Sequence, residues 1–169
     1  DSQMITTACR DCEEWDEKEM VYTVGVVQDR KLKLLWFVYG DCYCADKDIY
    51  EKIKKPIADG INSIPDVELS PTMELGRLNK VDPLGITYLR IRGMWHIDNP
   101  IKVFEDAVDY DSSKFNVFTI MKKDKYDSFP EDDRKAIEDD EIYEVLDKKV
   151  LSPNDASKKI DVKVIQAKF

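Results

Sequence analysis

Short runs of alternating apolar and polar residues dominate the chain, interrupted by one stretch with helical spacing. Val21-Tyr22-Thr23-Val24-Gly25-Val26-Val27 is a β-branched run that predicts a strand. A polar turn, Gln28-Asp29-Arg30-Lys31, leads into Leu32-Lys33-Leu34-Leu35-Trp36-Phe37-Val38-Tyr39. This second run is almost wholly apolar at its end, as expected of a strand covered on both faces. Asp46 then reads as a helix N-cap, and Ile49, Ile53, Ile57 and Ile61 recur at intervals of four as one apolar stripe. Pro56 lies inside that stripe and predicts a kink or a division of the helix.

From Val67 to Lys123 the pattern is extended again. Val67-Glu68-Leu69, Met73 to Leu78, Gly85 to Arg92, Ile101 to Phe104 and Phe115 to Ile120 predict an antiparallel meander. Ser128-Phe129-Pro130-Glu131 has the form of a capping box, so a short acidic helix is expected over about Phe129–Asp139. Ile160-Asp161-Val162-Lys163-Val164 predicts a last strand, at an edge because of its alternating lysine. The fold class that follows is α+β. A mainly antiparallel sheet, made of the N-terminal hairpin and the meander, carries one kinked helix packed on it. A second, short acidic helix lies near the C-terminus. Ile53 and Ile57 are expected on the sheet-facing side of the first helix.

Length and charge narrow the picture. The chain has 169 residues, which fits a single globular domain over 1–169. Its 26 Lys+Arg against 35 Asp+Glu give a net charge of −9. An acidic chain of this kind repels nucleic acid and anionic membrane, so neither is expected as a partner. No apolar run reaches the roughly 20 residues of a membrane span. The expected partner is a protein with a basic face.

The 4 Cys form two tight pairs, Cys9/Cys12 and Cys42/Cys44. Pairing within Cys42-Tyr43-Cys44 would close a very small ring, so two disulfides between the clusters are expected. They would tie the segment 1–20 to residues 42–44, as Cys9–Cys44 with Cys12–Cys42 or in the parallel arrangement. A zinc site of four thiolates is the alternative, and a redox pair at Cys9 and Cys12 a third. The chain opens on Asp1 rather than Met, as removal of a signal peptide or trimming would leave it. Disulfides and a removed signal peptide together predict a secreted or lumenal protein.

Candidate chemistry is sparse. His96 is the sole histidine and reads as an ordinary core or surface residue. Gly-x-Ser-x-Gly, Gly-Lys-Ser/Thr and Gly-x-Gly-x-x-Gly motifs are absent. Asp106, Asp109 and Asp111 do not continue into a calcium loop, because position 6 from Asp109 is Lys114 and position 12 is Ile120. No catalytic residue, cofactor or metal is therefore expected, and the chain reads as a non-enzymatic binding protein.

Aromatic strands supply the alternative. If the sheet curls into a cup, Trp36, Tyr88, Trp95, Phe104 and Phe118 would line a pocket for a small apolar ligand. The stretch Val108-Asp109-Tyr110 to Ile120, followed by a polar link and a helix, resembles the late barrel strand and helix of lipocalins. That resemblance implies an apolar-ligand carrier, although the early Gly-x-Trp motif is missing.

Overall fold

A computed structural model of the chain describes residues 5–6, 20–66, 68–69, 76–91 and 96–169. These fall into two compact units. One comprises 20–45 and 98–169, the other 5–6, 46–66, 68–69, 76–91 and 96–97.

The first unit is built on a five-stranded sheet. Strands β2 (Val21–Gln28) and β3 (Lys31–Tyr39) form the expected hairpin. Its turn residues Asp29 and Arg30 both have positive φ, 51° and 61°, the geometry that matches the right-handed twist of the flanking strands. β8 (Asn116–Lys122) runs parallel to β3, β10 (Asp155–Lys168) antiparallel to β8, and β9 (Tyr143–Ser152) antiparallel to β10. The order is β2-β3-β8-β10-β9, so the sheet is mostly antiparallel and the class is α+β. The last strand is therefore interior. Its alternating lysines mark one half-exposed face, and β9 takes the edge instead.

Registered neighbours make the core. Val38 lies beside Ile120 and Ile120 beside Val164, while Trp36 lies beside Phe118. All five, with Val162, are 1% exposed or less. Burying each such side chain contributes roughly 1.5–3 kcal/mol, which makes this row the main source of the unit's stability. Tyr43, on the short helix α1 (Gly40–Tyr43), meets Tyr22 edge-on at 5.1 Å and Phe104 at 6.0 Å. Buried Asn116 is satisfied locally. Its amide donates to the Asp111 and Lys114 carbonyls and its oxygen accepts from Asp111 N–H, which fixes the loop entering β8.

Two local expectations are corrected here. Residues 100–103 form a helical turn, α3 (Pro100–Val103), not a strand. Asn99 accepts from Ile101 N–H at 3.0 Å and Pro100 opens the turn, a start signal that outweighs the apolar run behind it. The capping box does not form either. Ser128 follows α4 (Lys123–Asp127) and donates back to the Lys125 carbonyl at 2.6 Å, while α5 (Glu131–Glu138) begins after Pro130.

The second unit contains α2 (Lys47–Asn62), which starts after Asp46 and runs through Pro56 as one helix. A three-stranded antiparallel sheet joins β4 (Glu68–Leu69), β5 (Gly76–Asn79) and β6 (Leu89–Ile91) in that order. β1 (Ile5–Thr6) pairs with β7 (His96–Ile97). The expectation that Ile53 and Ile57 pack onto a sheet is corrected, since they are 55% and 41% exposed while Ile61 is 8% exposed. A strict spacing of four advances about 40° per step around a helix, so the stripe winds away from any single contact face. Where Ile61 does pack, Gly76 lets the strand approach closely. No helix among the described residues is long and apolar enough to cross a membrane.

Candidate functional site

The residues expected to line a ligand cup do not line one. Trp36, Phe104 and Phe118 are 1%, 3% and 0% exposed, with Trp36 packed on Phe118 at 5.1 Å between ring centres. Tyr88 is instead an exposed side chain of the second unit, and Trp95 lies outside the described residues. One cleft in the first unit is bounded by Glu141, Tyr143, Glu144, Gln166 and Lys168 and holds about 240 Å³. It is polar and smaller than the roughly 300 Å³ an enclosed apolar ligand needs.

The cysteine expectation also needs correction. Cys42 is a free, buried thiol whose Sγ donates to the Tyr39 carbonyl at 3.2 Å. Burial, reinforced by the Asp41 charge, pushes its pKa far above the ordinary value, so it is an inert thiol rather than a nucleophile. The Cys44 Sγ donates to Tyr22 Oη at 3.3 Å. Cys9 and Cys12 lie outside the described residues. Both thiols of the second cluster are thus placed in the apolar interior, as small hydrophobic side chains usually are.

The acidic groups are dispersed, and some of them pair with lysines. Asp147 of β9 meets Lys163 of β10 at 3.0 Å and Lys123 at 3.6 Å, and Lys149 meets Asp161 at 3.4 Å. The Lys163 hydrogen bond holds the Asp147 carboxyl below its ordinary pKa. Among the described residues no three His, Cys, Asp or Glu side chains converge on a point where a cation could sit.

A different cluster stands out in the second unit. β5 and β6 pair Arg77 directly opposite Arg90. Like charges in that position repel unless a counter-charge lies nearby. The Arg77 guanidinium lies 5.8 Å from the Tyr88 ring centre, and its Nε is buried without a hydrogen-bond partner. Lys80 follows β5 in the left-handed conformation, φ 55°, and pairs with Glu68 at 2.8 Å. Both members of that pair are exposed, so another anion could displace Glu68.

The loop joining these strands is rigidly tied by one carboxylate. Asp82 accepts from the N–H groups of Leu84, Ile86 and Thr87 at 2.9, 3.2 and 2.5 Å. The Gly85 N–H donates to the Asp82 carbonyl, and the Val81 N–H to that of Thr87. Gly85 has φ 68°, a conformation that favours glycine. Hydrogen bonds led by the Thr87 side chain hold the Asp82 carboxyl below its ordinary pKa, so it stays ionised at neutral pH. From Arg77 to Arg92 the sequence holds four cations, Arg77, Lys80, Arg90 and Arg92, against the single carboxylate of Asp82. A guanidinium beside an aromatic face suits phosphate-like oxyanions.

Comparison with known proteins points the same way. The NgoPII restriction endonuclease family model matches residues 1–151. The type II restriction enzyme NgoPII of Neisseria gonorrhoeae is 44% identical over 167 residues, which cover 98% of this chain and 60% of that relative. The chain therefore spans about 60% of the length of the curated relative it matches. No solved structure matches the chain.

These matches overturn the expectation of a secreted, disulfide-bonded, non-enzymatic binding protein with a basic protein partner. They equally overturn the lipocalin-like carrier and the exclusion of nucleic acid. The cationic hairpin was present in the sequence as Arg77, Lys80 and Arg90 interleaved with Tyr88. A net charge taken over the whole chain hid it.

Proposed function

This chain belongs to the NgoPII restriction endonuclease family, and from that premise we propose that it acts on double-stranded DNA within a restriction endonuclease. The observation that carries the reading is the family match over residues 1–151. The β5–β6 hairpin is the part of the described chain best suited to touch the duplex. Arg77, Lys80 and Arg90 would supply cations to backbone phosphates, with Tyr88 beside the Arg77 guanidinium.

Metal-assisted hydrolysis of a phosphodiester needs carboxylates gathered around a cation. The described residues hold no such cluster, so no cleavage step is assigned to them. The role proposed for the hairpin is to hold DNA.

Fluorescence anisotropy with a labelled duplex of about 25 base pairs, between 50 and 200 mM salt, tests the reading. Three engaged cations predict a log–log slope of roughly −3, each phosphate contact contributing about −0.9. Failure to bind duplex at the lowest of these salt concentrations, or binding indifferent to salt, would overturn it.

A further inference from the structure

We propose that Leu84 and Ile86 form an apolar wedge that enters a groove of the duplex and partly unstacks one base step. This rests on the reading of the hairpin as the DNA-contacting face. The two side chains are 79% and 69% exposed, more than the other exposed large apolar residues among those described. A single exposed leucine on a protein surface is ordinary. Two of them, at the tip of one loop and separated by Gly85, are not.

The loop is built to keep them there. Asp82 gathers three backbone N–H groups from the tip, and two further backbone hydrogen bonds close the loop behind it. A tip already fixed in shape loses little conformational freedom on insertion, so its apolar contacts are not offset by ordering. The carboxylate that fixes it faces inward to those amides. The outward surface of the tip is thus apolar, while the cations sit along the strands behind it.

That division matches what a groove demands. Lys80 and Arg90, both exposed, flank the tip in sequence and would grip the phosphate ridges on either side. The apolar pair would then lie over the base edges, where no charge is needed. Architectural DNA-binding proteins place Phe, Leu, Ile or Met between base steps in this way and bend the duplex. The match to a restriction endonuclease family, together with these cations, selects the duplex over an apolar protein surface as the occupant. Steps that unstack readily, pyrimidine followed by purine, would be favoured, giving sequence preference without a base-specific hydrogen bond.

The experiment uses the full chain and duplexes with 2-aminopurine at successive positions and a donor–acceptor dye pair at the ends. Wild type should raise the 2-aminopurine fluorescence at one step and shorten the end-to-end distance. L84A/I86A should bind about three- to tenfold more weakly, with both signals lost. K80A/R90A should lower the salt slope by about 2. A bend and fluorescence rise that survive in L84A/I86A overturn the wedge alone. Unchanged affinity and salt slope in K80A/R90A overturn the reading of the hairpin on which it rests. Binding of the wild-type chain to anionic lipid vesicles but to no duplex would overturn both.

Discussion

Gly76→Ala probes a close approach between α2 and β5. A Cβ built on Gly76 would stand 2.5 Å from Ile61 Cδ1, 3.2 Å from Cγ2 and 3.5 Å from Cγ1. The Cδ1 methyl is the end of a flexible chain and could swing aside. Cγ2 could not, because a β-branched residue in a helix keeps essentially one χ1 rotamer. Ile61 is 8% exposed, so the clash cannot be vented into solvent. Overpacking of this kind costs about 1–3 kcal/mol. Replacing glycine at a permitted φ returns about 0.4–1 kcal/mol by restricting the unfolded chain. The net loss should be roughly 1–2 kcal/mol. Urea unfolding would measure it, provided the same variant is also made in an Ile61→Ala background. Ile61→Ala alone should cost about 2–5 kcal/mol. In that background the new methyl enters the space vacated and should be neutral or stabilising. The reasoning is refuted if Gly76→Ala is as stable as wild type, or if it loses the same amount with and without Ile61.

Other expectations are narrower. The Trp36 Nε1 is buried without a partner, so Trp36→Phe should cost less than about 1 kcal/mol in thermal or urea unfolding, against about 3–5 kcal/mol for Phe118→Ala beside it. Asp155 is held at a pKa of about 2, chiefly by its Ser157 hydrogen bonds, with Lys158 adding to the effect. Its depressed pKa means stability present above the unfolded carboxylate pKa and lost as pH falls toward about 2, so carbon-detected NMR titration should find its midpoint there and Asp155→Asn should remove that part of the acid limb. Tyr126 is pushed up to about 12, first by burial and then by its 2.9 Å hydrogen bond to Glu138. Its contribution is complete below pH 10 and declines as pH rises to about 12, and a phenolate absorbance titration with a midpoint near 10 would contradict the buried geometry.

The fold was legible where local signals and tertiary packing agree. The β2–β3 hairpin was readable because a β-branched run, a polar turn and an apolar run fall in sequence. The helix start at Asp46 was readable for the same reason. Residues 101–104 misled because an apolar run of four fits a strand or a buried turn, and the deciding signal, Asn99-Pro100, precedes it. β9 escaped notice because Tyr143 to Ser152 includes the adjacent charges Asp147, Lys148 and Lys149. As an edge strand it keeps those side chains in water and needs no clean apolar alternation. The site was less legible still. Arg77 and Arg90 are thirteen positions apart, and only the register of β5 and β6 places them opposite one another. The role of Asp82 depends on a loop closing around it, which spacing does not reveal.

The exclusion of nucleic acid failed for a physical reason that itself makes a prediction. A net charge of −9 describes the chain only at distances where all its charges act together. At physiological salt the Debye length is about 8 Å, so a phosphate near the hairpin feels mainly the nearest charges. Among the described residues those are Arg77, Lys80 and Arg90, against Glu68 and Asp82. At 0.01 M salt the screening length grows to about 30 Å, which is the size of a small domain, and the excess acid then repels the duplex as a whole. Two opposed effects therefore govern binding. Counterion release strengthens it steadily as salt falls, whereas unscreened repulsion weakens it only when salt is very low. The logarithm of affinity should climb along the slope of about −3 down to roughly 50 mM and flatten below about 20 mM. Association rates from stopped-flow fluorescence should flatten first, because long-range repulsion acts on approach rather than on the bound contact. A slope that continues unbroken to 10 mM would mean that the acidic surface never acts against the DNA. Local charge at the hairpin would then be an insufficient account of how an acidic chain binds a polyanion.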